Sequence, residues 1–373
     1  MKPISSLVKE HIKNLKPCIH GGEILDATCR SGIRRENILD FSSSVNPLGT
    51  SKKALDAAEA AFSQIAAYPD STSTELREAI EKHYNIAKNN IIVGNGSTEL
   101  MYLFAEVFLS KNDTVIMAAP TFGEYEGAVL KTGADIRFIK LGNDQKLDVD
   151  AFIAGMANAK MAFICNPNNP TSLLTPTHEL KRILDAALEQ STLVFLDEDF
   201  LEFVENEQQL SMIGNIDKYP NLFILRSFTK LFGLTGLRVG YGIANQEIIN
   251  VLMGAKIPWN VNCLAQAAAV VALNDYEHLQ KTRQLICEEK AYLQEGLSNI
   301  RGFKVYTPDA NFFFIDIRET GYTAAELTQK LLEQGIMIRD CTSFKGLDQY
   351  YIRIAVKLHS ENIRLLQALG KVI

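Results

Sequence analysis

Short apolar runs recur along the first two thirds of the chain. They are Ile91-Ile92-Val93, Val115-Ile116-Met117-Ala118, Ile136-Arg137-Phe138-Ile139, Met161-Ala162-Phe163-Ile164-Cys165, Thr192-Leu193-Val194-Phe195-Leu196 and Leu222-Phe223-Ile224-Leu225. Most lack the alternation of a half-exposed strand and read as strands buried on both faces. Segments with helical spacing lie between them, at 100–109, 149–156 and 180–188. Strand and helix alternating through short connections predict an α/β fold with an open, mostly parallel sheet wrapped by helices. Ligands in such folds sit beyond the carboxyl ends of the strands.

The residues that follow each run are therefore the first candidates for chemistry. Gly94-Asn95-Gly96-Ser97-Thr98-Glu99 is a glycine turn opening a helix, which points free amides at a phosphate. Its spacing is neither a P-loop nor a dinucleotide fingerprint, which disfavours ATP and NAD. Phe122 ends another strand and either stacks on a planar ring or plugs the core. In Asn166-Pro167-Asn168-Asn169-Pro170-Thr171 the prolines force a rigid loop that holds an amide in a fixed direction. Asp197 follows an apolar strand, where an acid is costly unless it faces water or a cation such as a pyridinium nitrogen; capping the next segment is the other reading.

Ser227-Phe228-Thr229-Lys230 then presents one lysine at a strand's edge, followed by Arg238. A desolvated lysine is part free amine and forms an imine with an aldehyde. Together with hydroxyls and an arginine it suits pyridoxal phosphate (PLP), which has one aldehyde and one dianionic phosphate. Alone, this stretch is also compatible with an ordinary surface loop. Ser97, Phe122, Asn169, Asp197 and Lys230 all fall at strand ends, and that shared placement favours a site.

Residues 1 to about 20 read as a short helix or arm, and His20-Gly21-Gly22 as a turn or a place of close ligand approach. Tyr68-Pro69-Asp70 leads into a capped amphipathic helix at 73–80. Past residue 262 the pattern becomes α+β. There Arg339 and Arg353 flank strand-like residues, suited either to a carboxylate or phosphate or to a buried ion pair. The expected division is an N-terminal arm joining the small domain (1–45), a large domain (46–262) and a small domain (263–373). The net charge of −6 argues against a polyanion surface. The six scattered cysteines have no metal-ligand spacing, so no metal is expected. They read as free thiols of a cytoplasmic protein, and neither a secretory signal nor a membrane span is expected.

On the Asn166–Thr171 loop, Asp197-Glu198 and Ser227–Lys230 with Arg238, the chain resembles the fold-type I, aspartate-aminotransferase-like PLP enzymes. The resemblance implies a large domain with a parallel sheet, a smaller α+β domain, and an imine between Lys230 and PLP. It further implies Asp197 on the ring nitrogen, Asn169 on the ring hydroxyl and Phe122 on the ring face. Ser97, Thr98, Ser227 and Arg238 would hold the phosphate, with Thr229 beside them. Tyr68 looks like the tyrosine that such homodimers donate to the neighbouring site, and Arg353 like the arginine for the substrate carboxylate.

Within the family the chain looks most like threonine-phosphate decarboxylases of cobalamin synthesis, with histidinol-phosphate aminotransferases the alternative. His20-Gly21-Gly22, Pro120-Thr121-Phe122-Gly123-Glu124-Tyr125 and Ile338-Arg339-Asp340-Cys341 carry that likeness. Phe200 stands where the aminotransferases usually have tyrosine, and Ser172 departs from the glycine usual after Asn-Pro-Thr. The resemblance implies decarboxylation of threonine phosphate to aminopropanol phosphate, or of serine phosphate to ethanolamine phosphate. His20 and Arg339 would grip the substrate phosphate. An aminotransferase would instead use 2-oxoglutarate or glutamate.

Overall fold

The computed structural model describes residues 3–13 and 15–373. Its strands, in chain order, are β1 (Leu39–Asp40), β2 (Ile91–Gly94), β3 (Thr114–Ala119), β4 (Asp135–Lys140), β5 (Met161–Cys165), β6 (Leu193–Asp197) and β7 (Leu222–Ser227). There follow β8 (Gly240–Ala244), β9 (Lys304–Tyr306), β10 (Phe312–Asp316), β11 (Ile336–Met337), β12 (Arg339–Asp340) and β13 (Tyr351–Ala355). A seven-stranded sheet has the order β2-β8-β7-β6-β5-β3-β4. Its pairs are parallel except those of β8, which runs antiparallel to both β2 and β7. The chain is thus an α/β protein with a mostly parallel sheet, as the apolar runs predict, with the fold-type I architecture that the resemblance implies.

β2, β5, β7 and β8 are buried throughout, which explains the near-continuous apolar character of β2, β5 and the first four residues of β7. Phe163, Phe195 and Phe223 stand side by side in register on β5, β6 and β7. Their ring centroids are 4.9 and 5.2 Å apart, and Phe104 of the helix Ser97–Phe108 closes on Phe223 at 4.9 Å. Each such pair adds about 0.5–1.5 kcal/mol beyond its buried area. This stack fixes the helix over the sheet, and so fixes where its first turn points.

On the opposite face β7 carries Arg226, fully buried. Its guanidinium donates to Glu198 at 2.7 Å and lies 3.4–3.5 Å from Glu207 and Glu202. Burial and the neighbouring Glu207 push the Glu202 carboxyl up to about 8, against the pull of Arg226.

A second, antiparallel sheet has the order β12-β13-β10-β9, while β1 pairs in parallel with β11. The 39–41 segment is stitched to the C-terminal part: Phe41 N–H donates to Met337, and its carbonyl accepts from Ala355. The first residues form two short turns of 3-10 helix, Ile4–Leu7 and Glu10–Ile12, rather than one helix. The helix Thr74–Tyr84 forms as expected, but Ser73 is not its cap: its backbone is left-handed (φ 50°) and its buried hydroxyl has no partner. Asp70 takes that role, accepting from the N–H groups of Thr72 and Thr74 at 2.9 and 2.7 Å.

Candidate active site

The topology makes a crevice before any side chain is considered. From β3 the chain goes outward to β4, then returns across β3 to β5, so the loops after β3 and β5 diverge. A cavity of about 820 Å³ opens there, beyond the carboxyl ends of the strands. Ser97, Thr98, Phe122, Asn169, Asp197 and Lys230 line it. So do Thr229 and Arg238 and, from opposite ends of the chain, His20 with Arg339 and Arg353.

At the sheet end, Asp197 terminates β6 and is buried. Tyr125 donates its hydroxyl to Asp197 at 2.7 Å, and the Asp199 N–H donates at 2.9 Å. Burial, reinforced by the Asp199 charge, raises the Asp197 carboxyl to about 7 despite these bonds. A cation at this point would restore the carboxylate. Lys230 Nζ lies 5.3 Å from the centroid of the Phe200 ring. Burial lowers its pKa, opposed by Asp199 and Asp197 and assisted by Arg353 and Arg238.

Gly96 precedes the helix Ser97–Phe108 with φ +80°. A Cβ there would come within 2.4 Å of Arg238 Nη2, so only glycine lets the guanidinium close over the helix start. Amides and a guanidinium around one cleft are donors for a phosphate. A lysine, an acid on a strand end and this cradle, all on one cavity, fit PLP.

At the other end, Arg339 and Arg353 face each other directly across β12 and β13. Like charges in register are unfavourable unless an anion or fixed dipoles lie between or beside them. Arg353 donates Nη1–H to the Asn169 amide oxygen and Nη2–H to the Ser42 carbonyl, while its buried Nε has no partner. Burial lowers it to about 10. Arg339 donates to the carbonyls of Ile19 and His20 at 2.6 and 3.0 Å, and to Ser343. Gly21 supports this contact: a Cβ on it would meet the Ser42 carbonyl at 2.4 Å.

Two expected residues stand outside the cavity of a single chain. Ser227 is fully buried, and its hydroxyl is bonded to Asp199 rather than directed at a phosphate. Tyr68 is 80% exposed and stacks on Trp259, with ring centroids 4.5 Å apart. Sequence reasoning missed Tyr125, Asp199 and Glu124. Glu124 and Tyr125 lie inside the Pro120–Tyr125 motif already singled out, and Asp199 stands two residues past Asp197; those were the available signals. Among the described residues no cluster of possible metal ligands occurs. No helix among them is long and apolar enough to cross a membrane.

The family model for aminotransferase class I and II matches residues 36–369. The chain belongs to this family. Its cofactor is pyridoxal 5'-phosphate. A histidinol-phosphate aminotransferase of Methanosphaera stadtmanae is 36% identical over 345 residues, 92% of each chain. A solved histidinol-phosphate aminotransferase from Clostridium acetobutylicum is 32% identical with a TM-score of 0.85, covering 90% of this chain and 99% of that one. L-threonine-O-3-phosphate decarboxylase from Porphyromonas gingivalis is 28% identical with a TM-score of 0.79, covering 89% and 98%.

Proposed function

We propose that this family member decarboxylates an O-phosphorylated amino acid of the threonine-phosphate type. The observation that carries the reading is convergence. The segments at 20–22, 120–125 and 338–347, where the likeness to the decarboxylases is concentrated, all contribute to the wall of one cavity. Phe200 adds to it: its ring packs on Phe312 at 4.9 Å and offers no hydroxyl.

PLP, when bound, supplies an aldehyde for amine condensation and a pyridinium that accepts the electrons of the bond held perpendicular to its ring. Lys230 would hold the aldehyde, Asp197 the ring nitrogen and Asn169 the ring hydroxyl. Phe122 would cover one ring face. Ser97, Thr98, Thr229 and Arg238 would bind the cofactor phosphate, with Ser227 joining only by leaving Asp199. Arg353 and Asn169 would turn the substrate carboxylate out of the ring plane, and His20 and Arg339 would take its phosphate. Lys230 Nζ would return the proton to Cα. One methyl separates threonine phosphate from serine phosphate, worth about 1–3 kcal/mol in an apolar pocket.

A second reading is favoured by the names of the curated relatives. These are histidinol-phosphate aminotransferases at 31–36% identity, and the comparisons taken alone support transamination better than decarboxylation. The two reactions part cleanly. Decarboxylation releases carbon dioxide from phosphothreonine or phosphoserine without any keto acid. Transamination consumes histidinol phosphate, needs 2-oxoglutarate and releases none. Glutamate formation without carbon dioxide would overturn the first reading.

We also propose a homodimer, supported by exposed Phe62, Ile65, Tyr68 and Trp259, with Tyr68 reaching the neighbouring site. The division at residues 45 and 262 belongs to the same proposal. Light scattering at micromolar concentration tests the dimer.

A further inference from the structure

We propose that Glu124 is a positioning residue that orients His20 for the phosphate of the substrate; the inference rests on the reading that the substrate is phosphorylated. His20 lies on the N-terminal arm, with no regular element to hold it. Two contacts fix it from opposite ends. Arg339 binds its carbonyl, and Glu124, in the first turn of the helix Gly123–Thr132, meets its Nε2 at 2.8 Å.

A carboxylate only accepts, so Nε2 carries the hydrogen and Nδ1 is left as the ring's remaining polar atom. Nδ1 has no protein partner among the described residues, and the residue lines the cavity. To donate from Nδ1 as well, the ring would have to carry both ring hydrogens. Glu124 is itself held. Its second oxygen accepts from the hydroxyl of Tyr102 at 2.6 Å, and its side chain is only 12% exposed. The bond from His20, with that of Tyr102 also contributing, keeps the carboxyl below its ordinary range against the effect of burial. Tyr102, Glu124 and His20 thus form one chain of hydrogen bonds running from the helix Ser97–Phe108 to the cavity wall. The same logic orients histidines in metal and nucleophilic sites, where a carboxylate on one ring nitrogen sets the role of the other.

The test compares Glu124→Ala, Glu124→Gln and His20→Ala on the PLP-loaded enzyme, using the phosphorylated substrate that turns over. The expected result is a rise in KM of about tenfold for Glu124→Ala with kcat within about twofold of the parent, and a similar rise for His20→Ala. Glu124→Gln, which keeps an acceptor but not the charge, falls between parent and Ala. The double variant Glu124→Ala/His20→Ala is no worse than His20→Ala alone, because the two act through one contact. An unchanged cofactor absorbance band in every variant shows that the sheet end is intact. If His20→Ala raises KM and Glu124→Ala and Glu124→Gln leave it unchanged, Glu124 has no positioning role, although the phosphate reading stands. Additive effects in the double variant overturn the inference in the same way. If the parent enzyme turns over no phosphorylated substrate and binds none, the underlying reading fails instead.

Discussion

The two ends of the cavity are built on opposite plans. The sheet end takes Ser97, Asn169, Asp197 and Lys230 from the termini of strands in one continuous sheet, braced by the Phe163–Phe195–Phe223 row. The far end is assembled from an arm at residue 20, a helix at residue 124 and two strands past residue 338. Stiff geometry suits the bond-breaking step, which tolerates little misplacement. An end built from separate pieces can change its preference without disturbing that step. On the proposed function, reaction chemistry and substrate choice reside in different parts of the molecule.

The largest expected effect tests the sheet end. Lys230→Ala should abolish turnover and remove the cofactor's characteristic absorbance band, read by scanning the purified protein with added PLP; a variant that keeps the band would assign the covalent link elsewhere. Asp197→Asn, equal in shape but uncharged, should lower kcat by roughly 10²–10³, with KM little changed in steady-state assays. Arg353→Lys probes the far end. It keeps the charge but loses the fork to Asn169 and Ser42, and should raise KM by about tenfold or more while the absorbance band persists. A matching loss of the band would dissolve the distinction between the ends.

The smallest effect lies beneath both. Glu202 holds its proton up to about pH 8 in the folded protein, whereas the unfolded chain releases it near 4.5. Over that window the folded state binds more protons, so this group's contribution to stability falls as pH rises. Glu202→Gln should flatten the decline in Tm between about pH 5 and 8, measured by calorimetry. A decline as steep as the parent's would show that Glu202 is not its source.

The contrast also explains what could be read from the chain. Strands β3, β5, β6 and β7 were visible because parallel strands in a covered sheet are near-continuous apolar runs. β8 was not, since Gly240-Tyr241-Gly242 breaks such a run; yet Gly242 lies in register with Leu225 and completes the sheet. Residues at strand ends were found because topology alone makes those places special. The Glu124–His20 contact spans 104 positions, and nothing local marks it. The Ser73 cap failed for a related reason. A serine ahead of a helix describes a possible bond, but here the turn at Asp70 supplied a competing acceptor two residues ahead of Thr72. Ser227 shows the same competition, its hydroxyl drawn to Asp199 because that acid follows β6 beside it.

The reversed direction of β8 has one more consequence. Ser227 at the end of β7 lies opposite Gly240 at the start of β8, so residues 228–239 leave and re-enter the sheet at the same rim. Lys230 and Arg238 both ride on that excursion, tethered at its two feet. Had β8 run the other way, the connecting chain would have had to descend the length of a five-residue strand, about 16 Å, before pairing. The arginine would then arrive at the wrong rim. A single change of strand polarity is what lets one short loop deliver an amine and a guanidinium to the same cavity.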